Sequence, residues 1–314
     1  MYCLTLQSSE PYLYLAAEEY LLKNSSEEYC ILAINSPSVI IGKHQSPHRE
    51  VNTEYVEKHN IPVIRRISGG GTVFHDDGNL NFSFIRNCEP GHQVDFRLHT
   101  KPVIDFLSSL GIDAKFEGKN DIKVNGLKIS GNAEHVHRNR VLHHGTLLFS
   151  SDMEMLRSTL RKDTSCYKTR AVNSNPSSVT NLNGLIHSMK DVYEFRTKMT
   201  EYLKSVSMIS EDYHLSDNEL TEIRSLAGSK YRSWDWNFAY GPDYQFIKQF
   251  DYQGITIDCE LNVVEGIIKE CSIKENILFE KISRKLTGIR HLPAELKEVF
   301  LKENVRDINI FNFF

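Results

Sequence analysis

Three consecutive glycines at residues 69–71 constrain the fold of this chain more than any other sequence feature. They follow the strand-like apolar run of residues 61–67, which contains Arg66, and they precede His75. Glycine lets the backbone approach a ligand closely, and a neighbouring guanidinium can bind phosphate or carboxylate. The spacings of a P-loop and of a GxGxxG loop are both absent. We therefore predict a strand–loop–strand that binds an anion; the glycines without their charged neighbours would favour a flexible turn.

Long helices do not alternate regularly with strands along the chain, which argues against a doubly wound parallel sheet. We predict an α+β fold with a mixed or antiparallel sheet. The predicted helices span residues 12–23, 51–59, 101–110, 152–161, 190–206, 279–286 and 294–302. The predicted strands span residues 29–34, 38–45, 61–67, 79–86 (half-buried, by its alternation), 121–124, 127–130 and 140–150, with two or three more over residues 250–276.

The length of the chain predicts its domain organisation. At roughly 150 residues per domain, 314 residues correspond to about two domains. A Gly-Pro-Asp segment at residues 241–243 is the best candidate for the boundary. The prediction is a large domain over residues 1–243 and a small one over residues 244–314.

Composition narrows the classes of partner and compartment. The net charge of −4 argues against a nucleic-acid-binding protein, because binding to phosphates needs a positively charged surface. A transmembrane helix is not expected either, because no apolar stretch reaches the roughly 18 residues needed to cross a bilayer. The N-terminus does not resemble a secretory signal, and the six cysteines form no CxxC, so we expect reduced thiols in a cytoplasmic protein. Lys168 and Arg170 could activate Cys166 as a nucleophile, but a bystander cysteine is the simpler interpretation.

An Asn-Gly pair predicts a β-hairpin with a lysine beside its turn. Asn125 and Gly126 separate the strands 121–124 and 127–130, and Asn-Gly is the strongest short hairpin signal. Lys128 on the second strand could present a fixed ammonium to an anionic ligand. A solvated strand lysine is the alternative.

Four histidines lie close together in the sequence and raise the question of a zinc site. They are His135, His137, His143 and His144. Adjacent residues of a strand point to opposite faces, so only one of His143 and His144 can join a given site. No HExxH motif or cysteine partner supports a metal. We favour one buried histidine that orients a ligand or the backbone.

Taken together, these motifs resemble the lipoate–protein ligase A family over roughly residues 10–240. The matching segments are RRISGGGTVFHDDGN (65–79), GKNDIKVNGLKISGNA (118–133), HHGTLLF (143–149), SVTNL (178–182) and SWDWNF (233–238). The resemblance implies the α+β fold shared by lipoate and biotin ligases and related to class II aminoacyl-tRNA synthetases. It further implies that residues 1–243 are the catalytic domain that binds lipoate and ATP, and that residues 244–314 are a small accessory α+β domain. A monomer is expected.

The resemblance also implies a two-step reaction. Lipoate and ATP, with Mg²⁺, would give lipoyl-adenylate and pyrophosphate. The lipoyl group would then pass to a lysine of an acceptor, such as a lipoyl domain of a 2-oxoacid dehydrogenase complex or the glycine-cleavage H protein. A mixed anhydride is needed because a free carboxylate is a poor acylating agent.

The family motifs assign roles to residues of this chain. Lys128 would be catalytic, contacting the lipoyl carbonyl and the α-phosphate; Arg66 would bind carboxylate or phosphate; and Asp121 would be the magnesium ligand. The polar loop 162–178 would close over the adenylate and exclude water. The remaining expected binding residues are Ser68, Gly70, Gly71, Thr72, Val73, Phe74, His75, Asn79, Asn120, Ser130, Gly131, Ala133 and His144.

Other functions on the same fold remain open. A cysteine-type octanoyltransferase would carry its nucleophile within residues 118–121, where this chain has Lys119, Asn120 and Asp121 and no cysteine. The sequence distinguishes a ligase less well from a lipoyl amidotransferase, which would move a lipoyl group between proteins. A non-catalytic lipoyl-binding protein would be free to lose Lys128 and Arg66, and a biotin ligase would have different residues flanking its glycines.

Overall fold

A computed structural model describes residues 1–89, 91, 94–274 and 277–314, apart from the side chain of residue 277. Its helices are α1 Pro11–Asn24, α2 Pro47–Glu50, α3 Thr53–Lys58, α4 Phe96–Ser109, α5 Met153–Thr159, α6 Val192–Ser205, α7 Asp217–Leu226, α8 Ile277–Leu286 and α9 Pro293–Lys302. Its strands are β1 Tyr2–Thr5, β2 Tyr29–Ala33, β3 Ser38–Ile41, β4 Val63–Arg65, β5 Val73–His75, β6 Asn79–Asn87, β7 Ala114–Glu117, β8 Asp121–Val124, β9 Leu127–His137, β10 Arg140–Leu148, β11 Tyr167–Thr169, β12 Glu211–Asp212, β13 Tyr244–Tyr252, β14 Ile255–Val264 and β15 Ile267–Ile273.

The chain divides into two compact units, each built from three separate stretches. Unit 1 comprises Met1–Lys43, Pro62–Arg157 and Ser174–Ser233. Unit 2 comprises His44–Ile61, Ser158–Asn173 and Trp234–Phe314. Two early stretches therefore belong with the C-terminal region, which a single predicted boundary at residue 243 does not describe. The catalytic and accessory roles predicted for residues 1–243 and 244–314 stay predictions.

Unit 1 is built on a mixed eight-stranded sheet in the order β12-β1-β2-β6-β10-β9-β8-β7. The strand β1 runs parallel to β12 and β2, and every other neighbouring pair is antiparallel. A second sheet, β4-β3-β5, carries the glycines in the connection from β4 to β5. The predicted α+β fold with a mixed sheet is confirmed.

The strand β6 corrects one prediction. Its alternating sequence predicts a half-buried strand, but its first seven residues are all buried. Phe82 and Phe84 belong to a core that also contains residues of α4 and α6, while Ser83 donates a hydrogen bond to Glu18 of α1. Helices therefore cover both faces of the sheet, and the polar residues of β6 meet polar side chains rather than water.

Two local signals explain where elements begin and turn. The helix α4 starts at Phe96, before the predicted residue 101, because the Asp95 side chain accepts a hydrogen bond from the Leu98 N–H at 2.9 Å and caps it. The predicted hairpin is confirmed, and Asn125 and Gly126 both adopt positive φ, as a type I′ turn requires.

Unit 2 is built on an antiparallel four-stranded sheet in the order β11-β13-β14-β15. The helices α8 and α9 contribute Phe279 and Phe300 to its core, which also contains Phe246 and Phe313. Three strands fill the region where two or three are predicted, and residues 275–276 of that prediction lie outside the described residues. Among the described residues, no helix is both long and apolar enough to cross a membrane.

Candidate active site

The glycine loop, residues 66–72, is held in place by the guanidinium of Arg66. Its Nη2 donates to the carbonyls of Gly69 at 2.6 Å and Gly71 at 2.7 Å, and its Nη1 donates to that of Ile40 at 3.1 Å. Its Nε donates to Ser68 Oγ at 2.9 Å. Burial lowers the pKa of Arg66 to about 10, so it still carries its charge at neutral pH. Arg66 thus braces the loop, and its predicted contact with a ligand anion stays a prediction.

A chain of buried hydrogen bonds continues from the loop into the sheet and α1. Ser68 Oγ lies 2.6 Å from His144 Nε2, and His144 Nδ1 lies 2.8 Å from Glu18 Oε1. A carboxylate oxygen accepts, so His144 carries its proton on Nδ1 and its Nε2 accepts from the Ser68 hydroxyl. Ser83 also donates to Glu18 Oε1, at 2.6 Å. We call Arg66, Ser68, His144 and Glu18 the loop support.

His75, the last residue of β5, is a second buried imidazole in unit 1. Asn35 Nδ2 donates to its Nδ1 at 3.1 Å, and the Tyr14 ring meets it edge-on. Burial, followed by the charge of Arg66, lowers the pKa of His75 to about 3. His75 is therefore neutral at physiological pH. It can accept or donate a hydrogen bond but cannot supply positive charge to a ligand.

The lysine of the hairpin forms an ion pair across the two strands. Lys128 Nζ lies 2.7 Å from Asp121 Oδ1, and the two side chains are 21% and 19% exposed. A pair that water can reach in this way contributes little to folding stability, on the order of 0–1 kcal/mol. The ion pair therefore holds the Lys128 ammonium in position, and the ammonium is not part of the buried core. We call Lys128 and Asp121 the hairpin pair.

The base of the hairpin is fixed by two asparagines. Asn120 Nδ2 donates to the carbonyl of Asn132, and Asn132 returns hydrogen bonds from its N–H and Nδ2 to the Asn120 carbonyl, both at 3.0 Å. Asn132 Nδ2 also donates to Ser130 Oγ. The side chains of Ser130 and Asn132 lie on the face opposite Gly131 and Ala133. Ser130 can therefore reach a ligand on the Ala133 face only through its backbone.

The fold brings the glycine loop and the hairpin together. A Cβ built on Gly70, whose φ is +88°, would lie 3.7 Å from Ala133 Cβ. A Cβ built on Gly131 would lie 3.0 Å from Lys128 Nζ and 3.8 Å from a methyl of Val73. Glycine at these positions therefore lets the loop, the hairpin and the Lys128 side chain approach one another more closely than a larger residue would allow. His144 is the register partner of Ala133, so the loop support reaches the same face.

The second half of the predicted closing loop lies across this site. Ser174 Oγ accepts from the Thr72 N–H at 2.9 Å. The Ser178 carbonyl accepts from the Lys128 N–H at 2.9 Å, and the Thr180 N–H donates to the Lys128 carbonyl at 3.0 Å. Residues 174–180, here called the strap, touch both motifs. The first half, residues 162–173, belongs to unit 2.

Comparison with known proteins decides the family. The model of the lipoyl protein ligase A/B catalytic domain matches residues 10–204. The chain belongs to the lipoyl protein ligase A/B family. It is 37% identical to lipoate–protein ligase 1 of Staphylococcus aureus over 267 residues, which cover 84% of this chain and 81% of that protein.

Solved structures of other members agree. A bipartite lipoate–protein ligase from Thermoplasma acidophilum, studied with its E2 lipoyl domain, superposes with a TM-score of 0.65 at 25% identity and covers 75% of this chain and 95% of that one. A lipoate–protein ligase A bound with ATP gives a TM-score of 0.64 at 26% identity over 75% of this chain and 97% of that one. This member of the family therefore has its ligase fold.

Several residues that build the candidate site are absent from the sequence prediction. Glu18, Asn35 and Ser174 each contact a predicted residue, and Ser83 donates a hydrogen bond to Glu18. The sequence offers one signal for Glu18, which lies four residues from both Tyr14 and Leu22 and so places a carboxylate between apolar side chains of the predicted helix 12–23. In the structure Glu18 is 1% exposed. Asn35 lies in a polar connection, where nothing in the sequence marks it. Ser174 lies within the predicted closing loop 162–178, but the prediction names the segment and not this residue.

The remaining predicted residues are placed as follows. Phe74 and Asn79 are buried in unit 1, and Asn79 Nδ2 donates to Asn81 Oδ1 at 2.8 Å.

Cys166 lies in unit 2, where burial raises its thiol pKa more than the charges of Arg161 and Lys248 lower it. This agrees with a bystander cysteine rather than an activated nucleophile. His143 points away from His144, as its position on β10 predicts.

Proposed function

We propose that this chain is an ATP-dependent lipoate–protein ligase that activates lipoate as lipoyl-adenylate and transfers the lipoyl group to a lysine of an acceptor protein. One observation carries the proposal within the family: the glycine loop lies against the Lys128 hairpin, since a Cβ built on Gly70 would lie 3.7 Å from Ala133 Cβ and one built on Gly131 would lie 3.0 Å from Lys128 Nζ. An adenylating enzyme must hold a carboxylate and a phosphate side by side, and the partly exposed Lys128 ammonium supplies positive charge where the two motifs meet.

In the first step, a lipoate carboxylate oxygen attacks the α-phosphorus of ATP and pyrophosphate leaves. Negative charge builds up at the phosphorus, and a fixed cation within hydrogen-bond reach stabilises it. We assign this role to Lys128, because its side chain is 21% exposed and a ligand can therefore reach its ammonium beside Asp121. Arg66 would hold the glycine loop so that the N–H groups of Gly70 and Gly71 face the anion.

In the second step, the neutral amine of the acceptor lysine attacks the lipoyl carbonyl, AMP leaves, and the amine loses a proton. Lys128 would stabilise the departing phosphate charge. The strap would shield the adenylate from water, which would otherwise hydrolyse it. The acceptor would be a lipoyl domain of the E2 type, or the glycine-cleavage H protein.

The expected Mg²⁺ has a suitable ligand at this site. Magnesium in nucleotide sites is commonly held by one or two carboxylates together with substrate phosphates. Asp121 offers one partly exposed carboxylate beside Lys128. It would hold the ion, which would neutralise phosphate charge. Cytoplasmic location and a monomeric state remain predictions.

Lipoate-dependent exchange of pyrophosphate into ATP tests the first step. The full chain would be assayed with Mg²⁺ and lipoate, with octanoate and biotin in parallel. We expect exchange with lipoate and none with biotin. Adding an apo-lipoyl domain and ATP should then yield lipoyl-lysine, measured by mass spectrometry.

Two results would contradict the proposal and identify an alternative. Acyl transfer from an octanoyl or lipoyl carrier protein without ATP, in the absence of exchange, would assign the chain to the transferases. Saturable lipoate binding with neither exchange nor transfer would assign it to the non-catalytic lipoyl-binding proteins.

A further inference from the structure

The face of the sheet opposite the loop support carries a second, unused polar cluster. His143 Nδ1 lies 2.9 Å, and His99 Nδ1 3.0 Å, from the same carboxylate oxygen, Oε1 of Glu134. The cluster offers one ligand atom from each residue, and these atoms all lie within 4.8 Å of one another. We propose that His99, Glu134 and His143 form a structural binding site for a first-row divalent metal ion, with Zn²⁺ the preferred occupant.

Burial makes this cluster unlike a surface group of histidines and acids. The His99, Glu134 and His143 side chains are each at most 2% exposed. An ionised carboxylate in such a place requires a compensating charge. Both imidazoles direct Nδ1 at the same carboxylate oxygen, Oε1 of Glu134. A metal ion bound here would displace the protons of those hydrogen bonds, as ligation by histidine generally requires, and its charge would compensate the carboxylate.

Hydrogen bonding alone leaves the cluster incomplete. Among the residues that the structure describes, Glu134 Oε2 and His143 Nε2 are buried and have no hydrogen-bond partner. Buried polar atoms of this kind call for an explanation, such as a water or an ion. A cation bound to the free carboxylate oxygen would satisfy that atom and supply the missing charge.

The donor set identifies the class of metal. Two imidazole nitrogens and one carboxylate suit Zn²⁺, which takes four ligands at about 2.0–2.2 Å and can complete its shell with water. Magnesium and calcium prefer oxygen ligands throughout. The rings of Phe82, Phe84 and Phe96 surround His143 at centroid distances of 6.1, 6.5 and 5.8 Å, and such an apolar shell strengthens binding.

The position of the ligands indicates a structural role. His99 lies on α4, Glu134 on β9 and His143 on β10, so one ion would join a helix to two strands. The adjacent His144 belongs to the loop support on the other face, and no atom of the cluster contacts it by hydrogen bond among the described residues. The ion would therefore be bound during folding and would stabilise unit 1 without taking part in the ligase reaction.

Metal analysis of the full chain tests this site. The protein would be produced without a histidine tag, dialysed against metal-free buffer, and analysed by inductively coupled plasma mass spectrometry. We expect about one zinc ion per chain. After chelation, titration with Co²⁺ should give the visible d–d bands of a four- or five-coordinate ion, and Zn²⁺ should raise the melting temperature by mass action.

Glu134→Gln is the informative variant, because its amide oxygen can still accept from both imidazoles but lacks the charge. Its metal affinity should fall by more than the roughly 10–100-fold that is typical for loss of a group that only supports a ligand, because Glu134 is itself a ligand in this proposal. Glu18→Gln is the matched control, since it alters the equivalent glutamate–histidine pair on the other face and should keep its zinc. Wild-type protein without zinc and without Co²⁺ bands would overturn the proposal. So would equal metal binding by wild type and Glu134→Gln.

Discussion

The loop support and the hairpin pair are both charged clusters of unit 1, but they differ in what water can reach. Arg66, Ser68, His144 and Glu18 are buried and hydrogen-bonded to one another or to backbone carbonyls. Lys128 and Asp121 make one ion pair beside the glycine loop, and each is about one-fifth exposed. The first cluster determines the shape of the glycine loop, whereas the second leaves a charge available.

Because of this difference, substitutions in the two clusters should affect folding stability and catalytic activity differently. Removing a member of a buried network leaves polar groups unsatisfied, at a cost of about 1–3 kcal/mol each. Removing one side of a partly exposed ion pair costs less than about 1 kcal/mol. Variants of the hairpin pair should therefore lose activity and keep their stability, and variants of the loop support should lose both.

Lys128→Ala should produce the largest effect. Loss of the only cation that we assign to the developing phosphate charge should lower pyrophosphate exchange by about 10²–10³-fold. The free energy of unfolding should change by less than about 1 kcal/mol. Exchange assays and urea unfolding of the same preparations would measure the two effects.

Lys123→Ala is the matched control for that variant. Lys123 lies on the same hairpin, is 24% exposed and pairs with Glu117 at 3.4 Å. It should retain wild-type exchange and similar stability. Equal losses in both variants would mean that the hairpin needs its charges for folding, and near-normal exchange by Lys128→Ala would remove Lys128 from the mechanism.

Arg66→Lys should produce the largest loss of stability. A lysine keeps the charge but cannot reach the carbonyls of Ile40, Gly69 and Gly71 together. We expect a loss of about 2–3 kcal/mol in the free energy of unfolding, with exchange activity falling as the loop loosens. Arg138→Lys, at an exposed turn, should change neither quantity. An Arg66→Lys protein with normal stability but no activity would place Arg66 with the hairpin pair instead.

The two clusters also differ in how well the sequence predicts them. Asn125 and Gly126 determine the hairpin locally, because both positions need positive φ, so the sequence alone suffices to place Lys128 on its strand. The loop support depends on Glu18 and His144, which are far apart in sequence. Nothing local indicates that they meet.

The alternation of polar and apolar residues on β6 led to a wrong prediction, namely that one face of this strand is exposed to water. Asn81 and Ser83 alternate with phenylalanines on β6 just as they would on a strand with one face in water. Here that polar face meets Glu18 and the backbone of Ala33, which satisfy its hydrogen bonds in the interior. A pattern of residue types reports that polar groups need partners, and does not reveal whether those partners are water or protein.

His75→Gln should make stability less sensitive to acid. The folded pKa of His75, about 3, lies below the ordinary 6.5, so as pH falls the unfolded chain binds the proton first. Stability due to this group is therefore complete above pH 6.5 and is lost as pH falls towards 3. Between pH 6.5 and pH 5 the wild type should lose about 2 kcal/mol more than the variant. Urea unfolding at several pH values measures the slope, and parallel slopes would contradict a buried neutral His75.

Ser174→Ala should have the smallest effect, and it tests whether the strap belongs with the loop support or with the hairpin pair. Its hydroxyl accepts from the Thr72 N–H, so its loss frees one loop N–H worth about 1 kcal/mol, or roughly fivefold in affinity. If the strap closes over bound nucleotide, KM for ATP should rise by about that factor with kcat and stability nearly unchanged. Ser177→Ala, an exposed serine of the same strap, should behave as wild type. A stability loss with unchanged KM would instead show that Ser174 braces the glycine loop as Arg66 does, which would extend the loop support across the entrance of the site.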